Sequence, residues 1–331
     1  MDNTEINQIF EKFGQMQVVV IGDVMVDSYL WGKVERISPE APVPIVSVTK
    51  RENRLGGAAN VSLNLQALGA TPILFSVIGG DDTGKKFQKL LKKRNLSTEG
   101  IFIDPQRITT EKNRIISKGQ HIARVDDETT DYIDPEMETT LISSIKKVIE
   151  NNAVDVIIFV DYDKGVVTPT LFSTINKLAQ QKGIPTAVDP KKRNFMNYKN
   201  VTLFKPNFKE FIDGTGSSLK KGDLESLKIA ANEFKQKQNL KFIFITLSEL
   251  GVFISNGIKG QYFPAIIRYI ADVSGAGDTV LSVASLAMGT GLHPKRIAHI
   301  SNLAGGLVCE KPGVVPIDKE QLAKEMRLQK I

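Results

Sequence analysis

Short β-branched apolar runs alternate with segments of helical period along most of the 331-residue chain. Six runs have the length of strands: "MQVVVIG", "TPILFSVIG", "VDVIIFVD", "IPTAVDP", "VTLFKPN" and "KFIFITL". Continuous apolar runs of this length are typical of strands buried on both faces of a parallel sheet. Between two of them, "LISSIKKVIE" (141–150) places its apolar residues on one helical face, as a helix covering a sheet does. The alternation predicts an α/β fold.

Polar side chains follow several predicted strands. Asp161, Asp189 and Asn207 fall at or just past three strand ends, and "GDVMVD" places Asp23 and Asp27 beyond the first strand. Parallel sheets bind their ligands at the carboxyl ends of the strands. A short carboxylate there can accept hydrogen bonds from a pair of sugar hydroxyls, or it can simply begin a turn.

Two stretches interrupt the alternation. In "SPEAPVPIVSV" (38–48), Pro42 and Pro44 lie two residues apart, so their missing N–H groups share one side of an extended strand, which must be an edge strand. Residues 107–125 are β-rich, without helical period, and "SKGQ" offers a turn. Since no repeat or long linker is visible, we expect one domain over 1–331 with a β flap formed by roughly 33–50 and 105–127.

The segment "DVSGAGDTV" (272–280) precedes a small, apolar helical run. The amides of Gly275, Ala276, Gly277 and Asp278 would then be unpaired donors at the positive end of a helix, which is a site for a phosphoryl group. Asp278 could accept the proton of an attacking hydroxyl beside that group. The alternative is that the glycines only make a turn and that Asp278 only begins the helix.

A second glycine segment is "LGGAANVSLNLQALG" (55–69). Gly56 and Gly57 permit close backbone approach to a ligand, and Asn60 either binds that ligand or caps the helix.

Two other segments do not match the motifs that they suggest. "GDDTGKK" carries Lys86 where a P-loop needs Ser or Thr, and the first strand is followed by one glycine instead of the three of a dinucleotide fingerprint.

Composition narrows the class of protein. A single cysteine, Cys309, excludes an internal disulfide and a multi-cysteine metal site. The net charge is +6, and the Lys and Arg residues are scattered among Asp and Glu along the chain. This distribution favours a small anionic substrate over nucleic acid. The first apolar run, 18–21, is too short for a signal peptide or a membrane span, so we expect a cytoplasmic protein that binds no membrane.

Several segments carry a resemblance to a known family. "GGAANVSLNLQALGATPILFSVIGGDDTG" and "DVSGAGDTV" resemble the two signatures of the ribokinase-like (PfkB) carbohydrate kinases, at the separation which that family uses. "KPNFKE" resembles the family's N-x-x-E element, and "TLSELG" its T-x-G-x-x-G nucleotide loop, with Ser248 in place of the first glycine. The resemblance implies a ribokinase-like three-layer α/β/α sandwich with a small β lid, the flap predicted above.

The resemblance also implies a role for particular residues. Asp278 is the general base, with an anion hole formed by Gly275, Ala276 and Gly277. The sugar is held by Asp27, Gly56, Gly57 and Asn60. The nucleotide is bound by Asn207, Glu210, Thr246, Ser248, Gly251, Asp272 and Asn302. Asn207 and Glu210 position Mg²⁺ through water, ATP is the phosphoryl donor, and a monovalent cation such as K⁺ can activate the enzyme.

With "GDVMVDSYLWGKVERISPEAPVPIV", "DYDKG" and "VDPKKRNF", the chain most closely resembles the branch of this family that phosphorylates D-glycero-β-D-manno-heptose 7-phosphate. Such a substrate needs positive charge on the sugar side. Cations are available on the flap and at strand ends: Lys112, Arg114, Arg124, Lys164 and Lys191. We favour Arg114 and Lys164 for the substrate and place Lys191 on the nucleotide phosphates, although each could be a solvated surface charge.

The sequence therefore predicts an ATP-dependent kinase that phosphorylates the anomeric hydroxyl and yields heptose 1,7-bisphosphate and ADP, for ADP-heptose and lipopolysaccharide core synthesis. Because the chain stops at Ile331, we expect the bisphosphate as its product, with another protein carrying out nucleotidylyl transfer. The resemblance also suggests a homodimer through the lid. Alternatives are another PfkB sugar or nucleoside kinase and a non-catalytic sugar-phosphate binder of the same fold, while nucleic-acid binding rests on the pI alone.

Overall fold

The computed structural model describes residues 2–257, 260–266 and 268–329, so the ends of the predicted domain, Met1 and Ile331, lie outside the described residues. The helices in these ranges are α1 (Asn3–Gln15), α2 (Ala58–Ala67), α3 (Asp82–Lys93), α4 (Pro135–Asn151), α5 (Pro169–Gln181), α6 (Phe208–Thr215), α7 (Leu224–Lys237), α8 (Ala276–Gly289), α9 (Pro294–Cys309) and α10 (Lys319–Leu328). None of these described helices is long and apolar enough to span a membrane.

The strands, in chain order, are β1 (Gln17–Gly22), β2 (Val24–Ile37), β3 (Pro44–Gly57), β4 (Thr71–Gly79), β5 (Ile101–Asp104), β6 (Glu111–Ser117), β7 (Gln120–Asp127), β8 (Val156–Val160), β9 (Thr186–Asp189), β10 (Leu203–Phe204), β11 (Phe242–Thr246), β12 (Gly251–Ser255) and β13 (Gly260–Pro264). Within the described ranges, nine of them form one sheet in the order β13-β12-β11-β10-β9-β8-β1-β4-β5. Pairing is parallel from β5 to β11, while β12 and β13 add an antiparallel edge.

Both faces of this sheet are covered by helices. Successive side chains of a strand point to opposite faces, so each strand contributes to both cores. Val18 and Val20 of β1 belong to the core with α1, α2, α3, α8, α9 and α10, whereas Val19 and Ile21 belong to the core with α4, α5, α6 and α7. Helices therefore cover the sheet on both sides. This three-layer α/β/α arrangement confirms the predicted fold class.

The flap is a second sheet of four strands in the described ranges, in the order β3-β2-β6-β7. It grows directly from the main sheet, because Asp23 alone separates β1 from β2. Pro44 begins β3, which lies at the edge of this sheet as predicted, whereas Pro42 lies in the bend before the strand and not in the strand itself. The first residues of β2 and the last residues of β3 therefore lie next to the carboxyl end of β1.

Asp23 anchors the loop that follows β8. Its carboxylate accepts backbone N–H bonds from Tyr162 (2.7 Å), Lys164 (3.1 Å) and Val166 (3.0 Å). Burial nevertheless raises the pKa of Asp23, although these bonds oppose the shift. Asp161 plays a similar part, since its carboxylate accepts from the Tyr198 hydroxyl at 2.5 Å and from its own loop. The structure thus shows Asp23 holding the turn of the loop after β8, the structural alternative considered for this residue.

We expect Asp23→Ala to lower the free energy of unfolding by about 2–4 kcal/mol, because it leaves largely buried N–H groups without an acceptor. Asp23→Asn keeps one acceptor oxygen and should lose less. Urea denaturation measures both. Asp82→Ala, at an acid whose side chain is 95% exposed, is the control and should change stability by under about 0.5 kcal/mol. Equal stability of Asp23→Ala and the control would contradict the anchoring role.

Candidate active site

Asp278 lies in the first turn of α8, yet it does not cap the helix. The structure places no side-chain cap on α8, and Asp278 is 4% exposed. Its Oδ2 accepts a hydrogen bond from Asn60 Nδ2 at 2.8 Å, and its Oδ1 accepts one from the Tyr162 hydroxyl at 2.7 Å. The acid is therefore held by α2 and by the loop after β8 rather than by its own helix.

The electrostatics around Asp278 suit a base that works near neutral pH. Burial raises its pKa to about 6, against the effect of the Asn60 and Tyr162 hydrogen bonds. The charge of Asp189 raises this pKa further, and that of Lys205 lowers it. Above pH 6 the carboxyl is therefore ionised and able to accept a proton.

The start of α8 carries the residues predicted to form an anion hole. Gly275 precedes the helix with φ of 81°, in the left-handed region, and a Cβ there would lie 2.9 Å from Asn60 Nδ2. Gly277 is exposed, and the Ala276 N–H makes a long bond of 3.3 Å to the Val273 carbonyl. The positive end of α8, with an exposed Gly277, thus lies directly beside the buried acid.

A buried ion pair lies beneath this helix start, and sequence reasoning did not assign it. Lys205 is 2% exposed, and its Nζ lies 3.0 Å from Asp189 Oδ2. A Cβ added to Gly277 would lie 3.9 Å from the same Nζ. Asp189 Oδ1 is buried without a hydrogen-bond partner in the described part of the chain. The position of Lys205 in "KPN", directly after a strand, was the available signal.

The residues predicted to bind the sugar lie around Asp27 on β2. A Cβ on Gly56 would lie 2.2 Å from Asp27 Oδ2, so the carboxylate packs directly on the glycine backbone. Arg114 of β6 reaches the other oxygen at 2.5 Å, and its guanidinium lies 5.4 Å from the Tyr29 ring centroid. Gly57, with φ of 60°, ends β3 and begins α2, which carries Asn60. Asp27, Gly56, Gly57 and Asn60 therefore share one wall.

Tyr162 was quoted within "DYDKG" but assigned no role, and it occupies the centre of the site. The ammonium groups of Lys112 and Lys191 lie 5.6 Å and 5.0 Å from its ring centroid. Burial, together with the charges of Asp278, Asp189 and Asp27, raises the pKa of Tyr162 well above 10. Its hydroxyl therefore stays protonated and remains a donor.

The candidate phosphate-binding cations differ in their partners. Arg114 pairs with Asp27, Lys164 with Glu128 at 2.7 Å, and Lys191 with Glu210. Arg124 is more exposed and pairs with Asp126 at 3.0 Å. Among the described residues, Lys112 has no carboxylate at ion-pair distance, and burial lowers its pKa. Among the described residues it is therefore the one of these five cations without a contact ion pair, although Asp27, Asp126 and Glu128 act on its charge from farther away.

Asn207 and Glu210 form a capping box at the start of α6. The Glu210 N–H donates to Asn207 Oδ1 at 2.8 Å, and the Asn207 N–H donates to Glu210 Oε2 at 2.7 Å, while Glu210 Oε1 pairs with Lys191. Both side chains are thus already engaged, and no cluster of three metal-ligating side chains exists in the described ranges. Oxygens that can accept further hydrogen bonds fit a Mg²⁺ ion that keeps its water shell.

Several of the predicted nucleotide residues are connected near the ends of β11, β12 and β13. Asn207 pairs with Thr246, β12 begins at Gly251, and Asn302 Nδ2 donates to the carbonyl of Pro264, which pairs with Gly251. Ser248 has φ of 55°, which explains why the family pattern has glycine there. Asp272 accepts N–H bonds from Ser274 and Gly313, both at 2.9 Å, and so ties the segment after α9 to the start of α8.

Two solved structures match the fold. Phosphofructokinase-2 from Escherichia coli, in complex with substrates and products, superposes with a TM-score of 0.78 at 17% identity, covering 95% of this chain and 98% of that chain. Ribokinase from Arabidopsis thaliana, complexed with ribose and ATP, gives 0.71 at 16% identity, covering 93% and 98%. The fold is therefore ribokinase-like.

The sequence itself has closer relatives. The bifunctional protein HldE of Citrifermentans bemidjiense is 37% identical over 327 residues, which cover 98% of this chain and 66% of that relative. The chain thus spans just under two thirds of its length. The model of the pfkB family carbohydrate kinases matches residues 15–320, which include both glycine segments and Asp278. The chain therefore belongs to the pfkB family of carbohydrate kinases.

Proposed function

We propose that this protein transfers the γ-phosphoryl group of ATP to the anomeric hydroxyl of D-glycero-β-D-manno-heptose 7-phosphate, yielding the 1,7-bisphosphate and ADP. The observation that carries the proposal is the buried carboxylate of Asp278 in the first turn of α8, beside the exposed Gly277. The choice of sugar rests on the sequence resemblance to the heptose-phosphate branch and is supported by relatives such as HldE.

In the proposed reaction Asp278 takes the proton of the anomeric hydroxyl. That oxygen forms a bond to the γ-phosphorus, and the bond from this phosphorus to the bridging oxygen of ADP breaks. The amides of Gly275, Ala276 and Gly277 would stabilise the transferring group, with Lys205 adding positive charge from below. Phosphoryl transfer has a loose transition state, so positioning and charge neutralisation supply most of the rate.

The nucleotide side is proposed to comprise Asn207, Glu210, Thr246, Ser248, Gly251, Asp272 and Asn302, with Lys191 on the phosphates. Bound Mg²⁺ would neutralise phosphate charge, held through water by Asn207 and Glu210. The ion pair between Lys191 and Glu210 supports this proposal, since it brings together a cation for the phosphates and an acceptor for metal-bound water. A monovalent cation such as K⁺ remains part of the proposal from the family resemblance.

The sugar is proposed to bind at Asp27, Gly56, Gly57 and Asn60, with its phosphate near Arg114 and Lys164. Because Arg114 and Lys164 already have carboxylate partners, we add Lys112 as the cation whose charge is available to the substrate phosphate. Lys112 also lies beside the Tyr162 ring, and the Tyr162 hydroxyl donates to Asp278. A phosphate at Lys112 would therefore hold the sugar next to the base.

The wider setting is also a proposal. A kinase with this product would supply ADP-heptose and lipopolysaccharide core synthesis in the cytoplasm, with nucleotidylyl transfer as a separate step. We further propose a homodimer in which the lid meets the lid of a second copy. The support is a group of exposed apolar side chains on or beside the lid strands, including the edge strand β3: Ile37, Val43, Val48, Ile122 and Val125.

Asp278→Asn should lower kcat by about 10²–10⁴-fold, because the amide keeps the shape of the acid but cannot accept the proton. A coupled assay for ADP release measures turnover, and titration calorimetry measures the affinity for a non-hydrolysable ATP analogue, which should stay within about threefold. Asp213→Asn, at an exposed acid on α6, is the control. Turnover near that of the control would leave a non-catalytic sugar-phosphate binder as the better description.

Lys112→Met should raise KM for heptose 7-phosphate by about 10–100-fold, since a charge-assisted contact with the substrate phosphate is lost. With unphosphorylated heptose, kcat/KM should change by less than about threefold. Lys118→Met, on the exposed lid turn, serves as the control. An equal loss with both sugars would place Lys112 on ATP or on the fold instead of the substrate phosphate.

Val48→Lys should convert a dimer into a monomer, because a charge on the lid strand β3 opposes burial against a second copy. Light scattering after size-exclusion chromatography measures the mass. Ile229→Lys, at a 60% exposed position on α7 away from the lid, should leave the mass unchanged. A wild-type protein that is monomeric at micromolar concentration would refute the lid interface.

A further inference from the structure

The proposed reaction does not use Tyr162, although its hydroxyl contacts the proposed base. The phenol donates to Asp278 Oδ1 at 2.7 Å, and its backbone N–H is fixed by Asp23 at 2.7 Å. Asp23 and Asp161 stabilise this loop, and neither is assigned to a substrate. Asp23 thus fixes the backbone of Tyr162 while Asp278 accepts from its hydroxyl, so the tyrosine is held at both ends.

We propose that Tyr162 is a positioning residue that keeps Asp278 oriented and ionised for proton transfer, a role that rests on the proposed kinase function. It acts through Asp278 and transfers no proton itself. Its neighbours would make it the link between the sugar side and the nucleotide side, since Lys112 and Lys191 both lie over its ring.

The geometry supports the orienting part of this role. Asn60 from α2 holds one oxygen of Asp278, and Tyr162 from the loop after β8 holds the other. Donors on two separate elements prevent rotation of the carboxylate about its bond to the chain. Each carboxylate oxygen accepts more than one hydrogen bond, so both donors can stay while a sugar hydroxyl approaches.

The charges around Asp278 support the ionising part. Burial favours the neutral acid, and Asp189 at the end of β9 does so as well, whereas Lys205 after β10 favours the carboxylate. Lys191, beyond β9, is close enough for the Asp278 charge to raise its own pKa. Tyr162 and Asn60 are the direct donors, and donors to a carboxylate lower its pKa. Removing one donor should therefore shift the acid towards its neutral form.

Tyr162→Phe isolates the hydroxyl, because the ring and its contacts with Lys112 and Lys191 remain. We expect the acid limb of the kcat/KM profile to move to higher pH by about one unit, since the protonated acid cannot act as a base. Activity should therefore fall about tenfold below the wild-type midpoint and by less than about threefold at pH 8.5. Coupled assays of ADP release from pH 5.5 to 9 measure both effects.

Tyr198→Phe is the matched control, because it removes a buried phenol hydroxyl that donates to Asp161 at 2.5 Å instead of to Asp278. It should leave the acid limb in place even if it lowers stability. An unchanged limb in Tyr162→Phe, or a loss equal at every pH, would overturn the proposal. Site-specific 3-fluorotyrosine at 162 keeps the shape and donates more strongly, so its limb should move to lower pH. A limb that stays in place there would also overturn the proposal, whether or not Tyr162→Phe folds.

The profile is measured with whichever sugar the wild-type protein phosphorylates fastest. If no sugar supports ADP release by the wild-type protein, the proposed function fails. If the wild-type protein turns over and the acid limbs of wild type and Tyr162→Phe coincide, the role of Tyr162 fails and the kinase function stands.

Discussion

The site depends on a carboxylate that is buried away from water and still able to ionise near neutral pH. Asp278 is buried in the first turn of α8, and its two oxygens are bound by Asn60 and Tyr162. Burial alone would neutralise the acid, and donors alone would leave it a weak base. The balance places its pKa at about 6, close enough to neutral for proton transfer and low enough for ionisation.

Buried acids have contrasting roles in the same small volume. Asp23 and Asp161 hold the loop after β8, Asp189 pairs with Lys205, and Asp278 accepts hydrogen bonds from Asn60 and Tyr162. All four lie at strand ends or at a helix start, so their sequence positions look equivalent. Their partners distinguish them: loop amides and the Tyr198 phenol engage the first two, whereas Asp278 contacts side-chain donors beside open helix amides. Function in this fold is therefore assigned by what each carboxylate contacts.

The lid is tied to the rest of the molecule by polar contacts as well as by chain connection. Arg54 of β3 donates to the carbonyls of Pro312 and Val314, and the Val314 N–H donates to the Tyr29 hydroxyl of β2. These contacts join the sugar-side strands to the segment after α9. Asp272 binds the same segment through Gly313 and lies near the start of α8. The strands β2 and β3 and the start of α8 are thus connected through one short stretch of chain.

The amino-acid pattern by itself determined the layers, the main strands and the two glycine segments, because burial on both faces of a sheet and turns at strand ends leave local signals. The prolines near the start of β3 likewise indicated an edge strand, since a residue without an N–H group cannot donate to a neighbouring strand. The family resemblance then supplied the roles proposed for Asp278, Asn60 and Asn207, whose positions recur in its motifs.

Tertiary structure alone decided the partners of each charge. Nothing local shows that Asp23 binds the loop of Tyr162, 139 residues away, or that Lys205 pairs with Asp189. Nor does it show that Lys112 has no carboxylate at ion-pair distance among the described residues. Hydrogen bonds and ion pairs depend on distance in space, which the sheet order sets by bringing strands distant in sequence side by side. For the same reason the sequence indicated no role for Tyr162, and only the fold showed that its hydroxyl donates to Asp278.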